Sequence, residues 1–170
     1  MNELDLFFQR RSIRKYTGQA VERKTLEGIL AAAMSAPSAC AKDPWRFIVV
    51  QNREKLREIA AVLPNGKFLA DAPAGIIVSG DIALAHGNEL SFLLQDCSAA
   101  IENLLLAATA SGLGACWLGV HPREDRIANI RHLFNLPENI TPVAVIAIGH
   151  PAENPVPRQR GKAEYITWIQ

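Results

Sequence analysis

The chain has 170 residues and a formal net charge of +1, with 49% hydrophobic and 21% charged residues. That length suits one domain spanning 1–170, able to bury roughly 70% of the surface its unfolded form exposes. Near-neutrality without a long basic stripe argues against nucleic acid or an anionic membrane as the main partner, because both are held by many spread lysines and arginines, and it leaves a small anionic ligand open.

Taken in order, the apolar pattern alternates between helix and strand. Phe7 and Phe8 sit in a short first helix that reaches the basic stretch Arg10-Arg11-Ser12-Ile13-Arg14. Residues 21–25 open a second helix, with Leu26, Ile29, Leu30 and Ala33 at helical spacing, and Pro37 stops it. Residues 46–51 read as a buried strand, 54–63 as an amphipathic helix, and Pro64-Asn65-Gly66 as the turn that ends it. Residues 75–79 form the next strand. The helix over 90–111 carries so wide an apolar stripe that it is expected to be buried nearly all round, at the domain centre or against a second subunit. Gly112 and Gly114 end it. Residues 116–120 follow as a short strand or turn, 124–134 as a helix, and 142–149 as a third solid strand. Such interleaving implies a layered α/β arrangement.

Cys40, Cys97 and Cys116 are odd in number and lack a Cys-x-x-Cys pair, which fits reduced thiols, and the four histidines show no His-x-x-x-His spacing for a metal. The first five residues carry acids and lack the basic and apolar regions of a signal peptide, so the cytoplasm is the expected compartment. Gly112-Leu113-Gly114 fails as a dinucleotide fingerprint, since it closes a helix and no third glycine follows at the required place. Ser38 lacks a nucleophile elbow, and neither Cys40 nor Cys116 has an adjacent histidine. The pattern that asks for a ligand is basic: Arg10, Ser12 and Arg14 near one end and Arg158 and Arg160 near the other could converge on one phosphate ester, whose oxygens match the planar donor fork of arginine. Taken singly, each arginine is as readily a solvated surface charge. By spacing alone, residues 37–45 read as an ordinary helix-to-strand connection.

Read together, Arg-Arg-Ser-Ile-Arg-Lys-Tyr at 10–16, Ala36-Pro37-Ser38 leading into Pro44-Trp45-Arg46-Phe47, Gly-Leu-Gly-Ala-Cys-Trp-Leu-Gly at 112–119, and Gly149-His150-Pro151 with Pro157-Arg158-Gln159-Arg160 resemble the nitroreductase family over essentially the whole chain. The resemblance implies an α+β fold, a three-layer α/β/α sandwich around a central mixed sheet, assembled as an intertwined homodimer. It also implies FMN as cofactor and ping-pong hydride transfer from NADH or NADPH to nitroaromatic, quinone or similar small electron-poor acceptors. By position, Arg10, Arg11, Ser12 and Arg14 would hold the phosphate, ribityl chain and pyrimidine edge of one flavin, with Arg11 acting through its backbone. Arg158 and Arg160 would close on the phosphate. Pro37, Ser38 and Ala39 would approach from the partner subunit, and the backbone of Leu118 and Gly119 would face the flavin N5. No catalytic acid or nucleophile is required, because the cofactor carries the hydride chemistry.

Where the family commonly has Pro-Ser-Ser-x-Asn-x-Gln-Pro-Trp, this chain has Ala39, Ala41 and Asp43 in place of the second serine, the asparagine and the glutamine. Those departures keep three alternatives open. One is a specialised flavin enzyme of the same fold, such as a dehalogenase, a ring or peptide oxidase, or a flavin-consuming enzyme. Another is a flavin-storage module without turnover, and the third is a phosphate-binding domain without flavin. The shortness of the chain predicts an open, shallow pocket.

Overall fold

The computed structural model describes residues 4–156 and 160–170. Five helices, α1 (Asp5–Gln9), α2 (Arg23–Met34), α3 (Arg53–Val62), α4 (Leu90–Ala110) and α5 (Glu124–Phe134), alternate with four strands, β1 (Trp45–Val50), β2 (Ala74–Asp81), β3 (Gly114–Gly119) and β4 (Ile140–Gly149). Among the described residues the strands lie in the order β1-β2-β4-β3 and pair antiparallel throughout. Among these same residues, parallel pairing enters only at the outer edge of β3, through a bridge between Ser12 and Ala115, so the expected mixed character of the sheet is confined there to that edge.

Side-chain alternation along the strands builds two cores. Ile76, Val78, Ala144, Ile146 and Ile148 face α2 and α4, while Ile77, Val145 and Ala147 face α3 and α5. The result is the three-layer α/β/α sandwich. Pro142 is accommodated inside β4 by a register shift opposite Val78 and Ser79, where the missing N–H interrupts the ladder least.

Local signals set the helix ends. Asn52 caps α3 by accepting from the Lys55 N–H at 2.9 Å. At the end of α4, Gly112 takes a φ of 72°, Leu113 donates to the Ala108 carbonyl at 2.8 Å, and Gly112 donates to Thr109 at 3.0 Å. That double closure requires a residue free to turn left-handed. Gly114, read from sequence as part of the stop, instead begins β3.

The α4 helix is long and apolar enough to cross a membrane by length and composition, yet it is a core helix with one broad buried face carrying Leu93, Cys97, Ala100, Ile101, Leu104 and Ala108. It is not buried all round: Leu90, Phe92, Gln95 and Glu102 are exposed. Further apolar surface is open on α1, at Phe7 and Phe8, and along residues 160–170, where Trp168 is 81% and Ile169 94% exposed.

Candidate functional site

The arginine-bearing stretch at residues 10–14 lies along the outer edge of β3. The Ile13 N–H donates to the Ala115 carbonyl at 3.0 Å, and the Tyr16 hydroxyl donates to the Ile13 carbonyl at 2.7 Å. Glu153 accepts from the backbone N–H groups of Arg14 and Lys15, at 2.5 and 3.2 Å. Ile13 itself is buried against Gly114, where an added Cβ would lie 2.6 Å from Ile13 Cγ1. With the backbone clamped, neighbouring side chains diverge. Arg10 reaches α4 and pairs with Glu102 at 3.3 Å. Arg11 turns into a cleft of ≈ 330 Å³ beside Pro151 and Glu153, with its Nη1 buried and without a hydrogen-bond partner. Arg14 lines a different cleft, of ≈ 360 Å³, with Cys116, Leu118 and Gly119.

Among the described residues no acid lines this cleft, which also carries Arg126 and Asn65, although Arg14 borders a further cleft as well, one that holds Asp71. Leu118 is buried in the core and fixes the strand, while Gly119 presents bare backbone: a Cβ there would meet nothing nearer than the His121 carbonyl at 4.0 Å. Arg126 holds this strand end from α5, its Nη1 donating to the Gly119 carbonyl at 2.8 Å. Burial pushes the Cys116 thiol up, against the opposing pull of the Arg14 charge and a hydrogen bond with Ser12. The Tyr16 hydroxyl is likewise pushed well above its ordinary value, chiefly by burial and then by Cys116 and Glu153.

Asn65, Gly66 and Arg126 escaped the sequence reading. Asn65-Gly66 looked only like a turn after α3, and nothing in the spacing ties residue 65 to residue 118. The structure supplies the link, because Gly66 packs so close that a Cβ would fall 2.9 Å from Leu63 Cβ and 3.2 Å from a Leu118 methyl.

Pro37, Ser38 and Ala39 lie elsewhere. They lead through the turn Ala39–Ala41 into β1, the opposite edge strand from β3, with β2 and β4 between, about 14 Å across the sheet. The Ser38 hydroxyl donates to Asp43 Oδ1 at 2.5 Å and accepts from the Asp43 N–H at 2.9 Å. Asp43 therefore closes the turn on itself and engages the Ser38 hydroxyl within the chain. Cys40, Ala41 and Asp43 all hold positive φ, at 51°, 52° and 47°. A single chain thus does not bring residues 37–39 to the cleft of Arg14 and Gly119. Arg160 is exposed and lines neither cleft, and Arg158 lies outside the described residues.

Comparison with known proteins places this architecture. The sequence model of the nitroreductase family matches residues 8–64 and 59–150. A protein of Methanothermobacter thermautotrophicus, whose name of NADH dehydrogenase/NAD(P)H nitroreductase is itself provisional, is 50% identical over 155 residues, which is 91% of this chain and 80% of that protein. A crystal structure from Bacteroides thetaiotaomicron with the same provisional name superposes with a TM-score of 0.91 at 43% identity, covering 98% of this chain and 96% of the other. Another, a provisionally named nitroreductase from Desulfovibrio desulfuricans in complex with FMN, gives a TM-score of 0.86 at 33% identity and covers 100% and 98%. In sequence and in fold alike, the chain belongs to the nitroreductase family.

Proposed function

We propose that this protein is an FMN-dependent NAD(P)H oxidoreductase that works as a homodimer and reduces nitroaromatic, quinone or similar small electron-poor compounds. The observation that carries the reading is the cleft at the β3 edge, where a guanidinium, an amide side chain and bare backbone converge with no acid among the lining residues. That donor set fits the polar edge of a flavin, which becomes electron-rich on reduction. Bound FMN would supply the hydride chemistry, taking hydride from the reduced nicotinamide and passing it to the acceptor.

The chain's own residues supply position and charge. Arg14 sets a positive potential where negative charge would develop, and the partly enclosed cleft strengthens it relative to open water. Gly119, lacking a Cβ, lets a flat ring approach the strand, and Arg126 keeps that peptide from rotating. Arg10, Ser12 and Arg160 remain the described candidates for the phosphate, together with Arg158. Arg11 contributes through backbone, consistent with its side chain turning to a separate cleft.

The homodimer reading draws support from two features. Residues 37–39 lead into β1, the edge strand opposite β3, and are not among the residues lining the Arg14 cleft, so a site that uses them with Arg14 calls for a second chain. Apolar side chains on α1, α4 and residues 160–170 stand exposed in one chain and would be covered by another. Commitment of the Ser38 hydroxyl to Asp43 favours a second reading, a flavin-binding module with little turnover.

An absorbance spectrum after FMN loading and removal of excess, followed by anaerobic NADH and then NADPH, tests the proposal. The expected result is bound yellow flavin that bleaches rapidly with one donor, while Arg14→Ala retains FMN about 10- to 100-fold less tightly, the worth of a charge-assisted hydrogen bond. Flavin that binds but stays oxidised with both donors supports the storage reading, and a colourless protein contradicts both.

A further inference from the structure

Asp96 is 4% exposed, on the core-facing side of α4 among Leu93, Cys97 and Ala100. Burying a carboxyl group there is costly unless its oxygens are satisfied. Only one is: Oδ1 accepts the Ala39 N–H at 2.8 Å, while Oδ2 has no hydrogen-bond partner. An apolar residue would serve the core better, so the distinctive result of Asp96 is the placement of residue 39. The backbone it holds does not favour its own conformation. Cys40, Ala41 and Asp43 are left-handed without being glycine, a combination that persists only when surrounding structure imposes it. Besides the turn's own backbone bonds, from the Ala41 N–H to the Ser38 carbonyl and from the Lys42 N–H to the Ala39 carbonyl, three anchors hold it: Asp96 at the entry, the reciprocal Ser38–Asp43 pair within, and the Asp81 N–H on the Pro44 carbonyl at 2.8 Å at the exit. Of these, only Asp96 comes from the helix layer.

We propose that Asp96 is the positioning residue for the flavin-facing turn, fixing the backbone of Ser38 and Ala39 from behind so that the turn meets the flavin of the partner chain in one conformation. The inference rests on the flavin reading given above. The operative contact is a single accepted hydrogen bond, so an asparagine in the same place keeps the Oδ1 acceptor and exchanges one unpartnered atom for another.

Amide hydrogen exchange of peptides covering residues 38–41 in the FMN-free protein, together with the FMN dissociation constant by fluorescence quenching, tests this on wild type, D96N, D96A and D96L. Loss of the bond should speed turn exchange and weaken FMN by about tenfold in D96A, with β4 and α5 peptides unchanged. D96N should stay within about twofold of wild type on both readouts. D96L fills the volume without an acceptor and stands in should D96A fail to fold. Turn exchange and FMN affinity like wild type in both acceptor-less variants would overturn the proposal, as would a D96N as impaired as D96A. A wild-type protein that binds no FMN would instead sink the flavin reading, and the exchange measurement would still decide whether Asp96 holds the turn.

Discussion

At the β3 edge, residues 10–14 take their path chiefly from sheet hydrogen bonds and a buried isoleucine, with the Glu153 carboxylate on the Arg14 N–H, whereas residues 37–43, which lead into the opposite edge strand, hold left-handed backbone with the help of the Asp43 and Asp96 carboxyl groups. One half of the proposed site is therefore built mainly by sheet backbone, and its outward side chains can change without moving it. The other half is strained backbone whose shape depends on particular residues. Chemistry can be tested by substitution at the first, while substitution at the second changes geometry before chemistry.

The backbone-built half can be broken selectively at Gly114. An alanine there puts its Cβ 2.6–2.8 Å from three Ile13 side-chain atoms, so residues 10–14 must lift from β3. Overpacking of this kind costs about 1–3 kcal/mol. The expected outcome for Gly114→Ala is a urea midpoint lowered accordingly and FMN bound less tightly, with hydrogen exchange at residues 38–41 unchanged. Unaltered stability would show that the contact between Ile13 and Gly114 is not what clamps the edge.

A smaller effect separates the halves by pH, since each carries a buried thiol. Burial, with Asp96 adding to it, pushes Cys97 up to about 12 from an ordinary 9.0. Cys116 is displaced the same way, but Arg14 and Ser12 pull it back. In both cases the native chain keeps a proton that the unfolded chain releases. The stability involved is whole below the ordinary thiol value and is lost as pH rises through the folded one, for Cys97 between about 9 and 12. Comparing urea midpoints at about pH 7 and about pH 10, the drop should be blunted in Cys97→Ala more than in Cys116→Ala. Equal blunting would mean that the Cys116 thiol is displaced over this pH range as far as the Cys97 thiol, despite the pull of Arg14 and Ser12.

The legible parts of the sequence were those set by local period. The helix over 124–134 is α5 to the residue, and the alternation of strands and helices gave the layered arrangement, with the sandwich itself coming from the family resemblance. Long-range placement was hidden. Ser12 beside Ala115, Gly66 beside Leu118 and Asp96 beneath Ala39 are pairings that the fold creates and no spacing announces. The α4 stripe was visible, yet which of its residues stay open, Leu90 and Phe92 among them, was not, because a hydrophobic pattern does not record which face meets a neighbour within the chain. Asp43 looked like a lost polar contact and is instead the partner that locks Ser38.

The composite nature of the site is tested most directly in mixed dimers, made by co-expressing an Arg14→Ala chain and an Asp96→Ala chain under different tags. If Arg14 of one chain works with the turn of the other, one of the two sites in each mixed dimer is intact. The account predicts one FMN site of wild-type affinity per mixed dimer, reducible by the same nicotinamide as wild type, whereas both sites of each parent homodimer are weakened, about tenfold in Asp96→Ala and about 10- to 100-fold in Arg14→Ala. Mixed dimers that hold FMN no better than their parents would place both halves in one chain and contradict it.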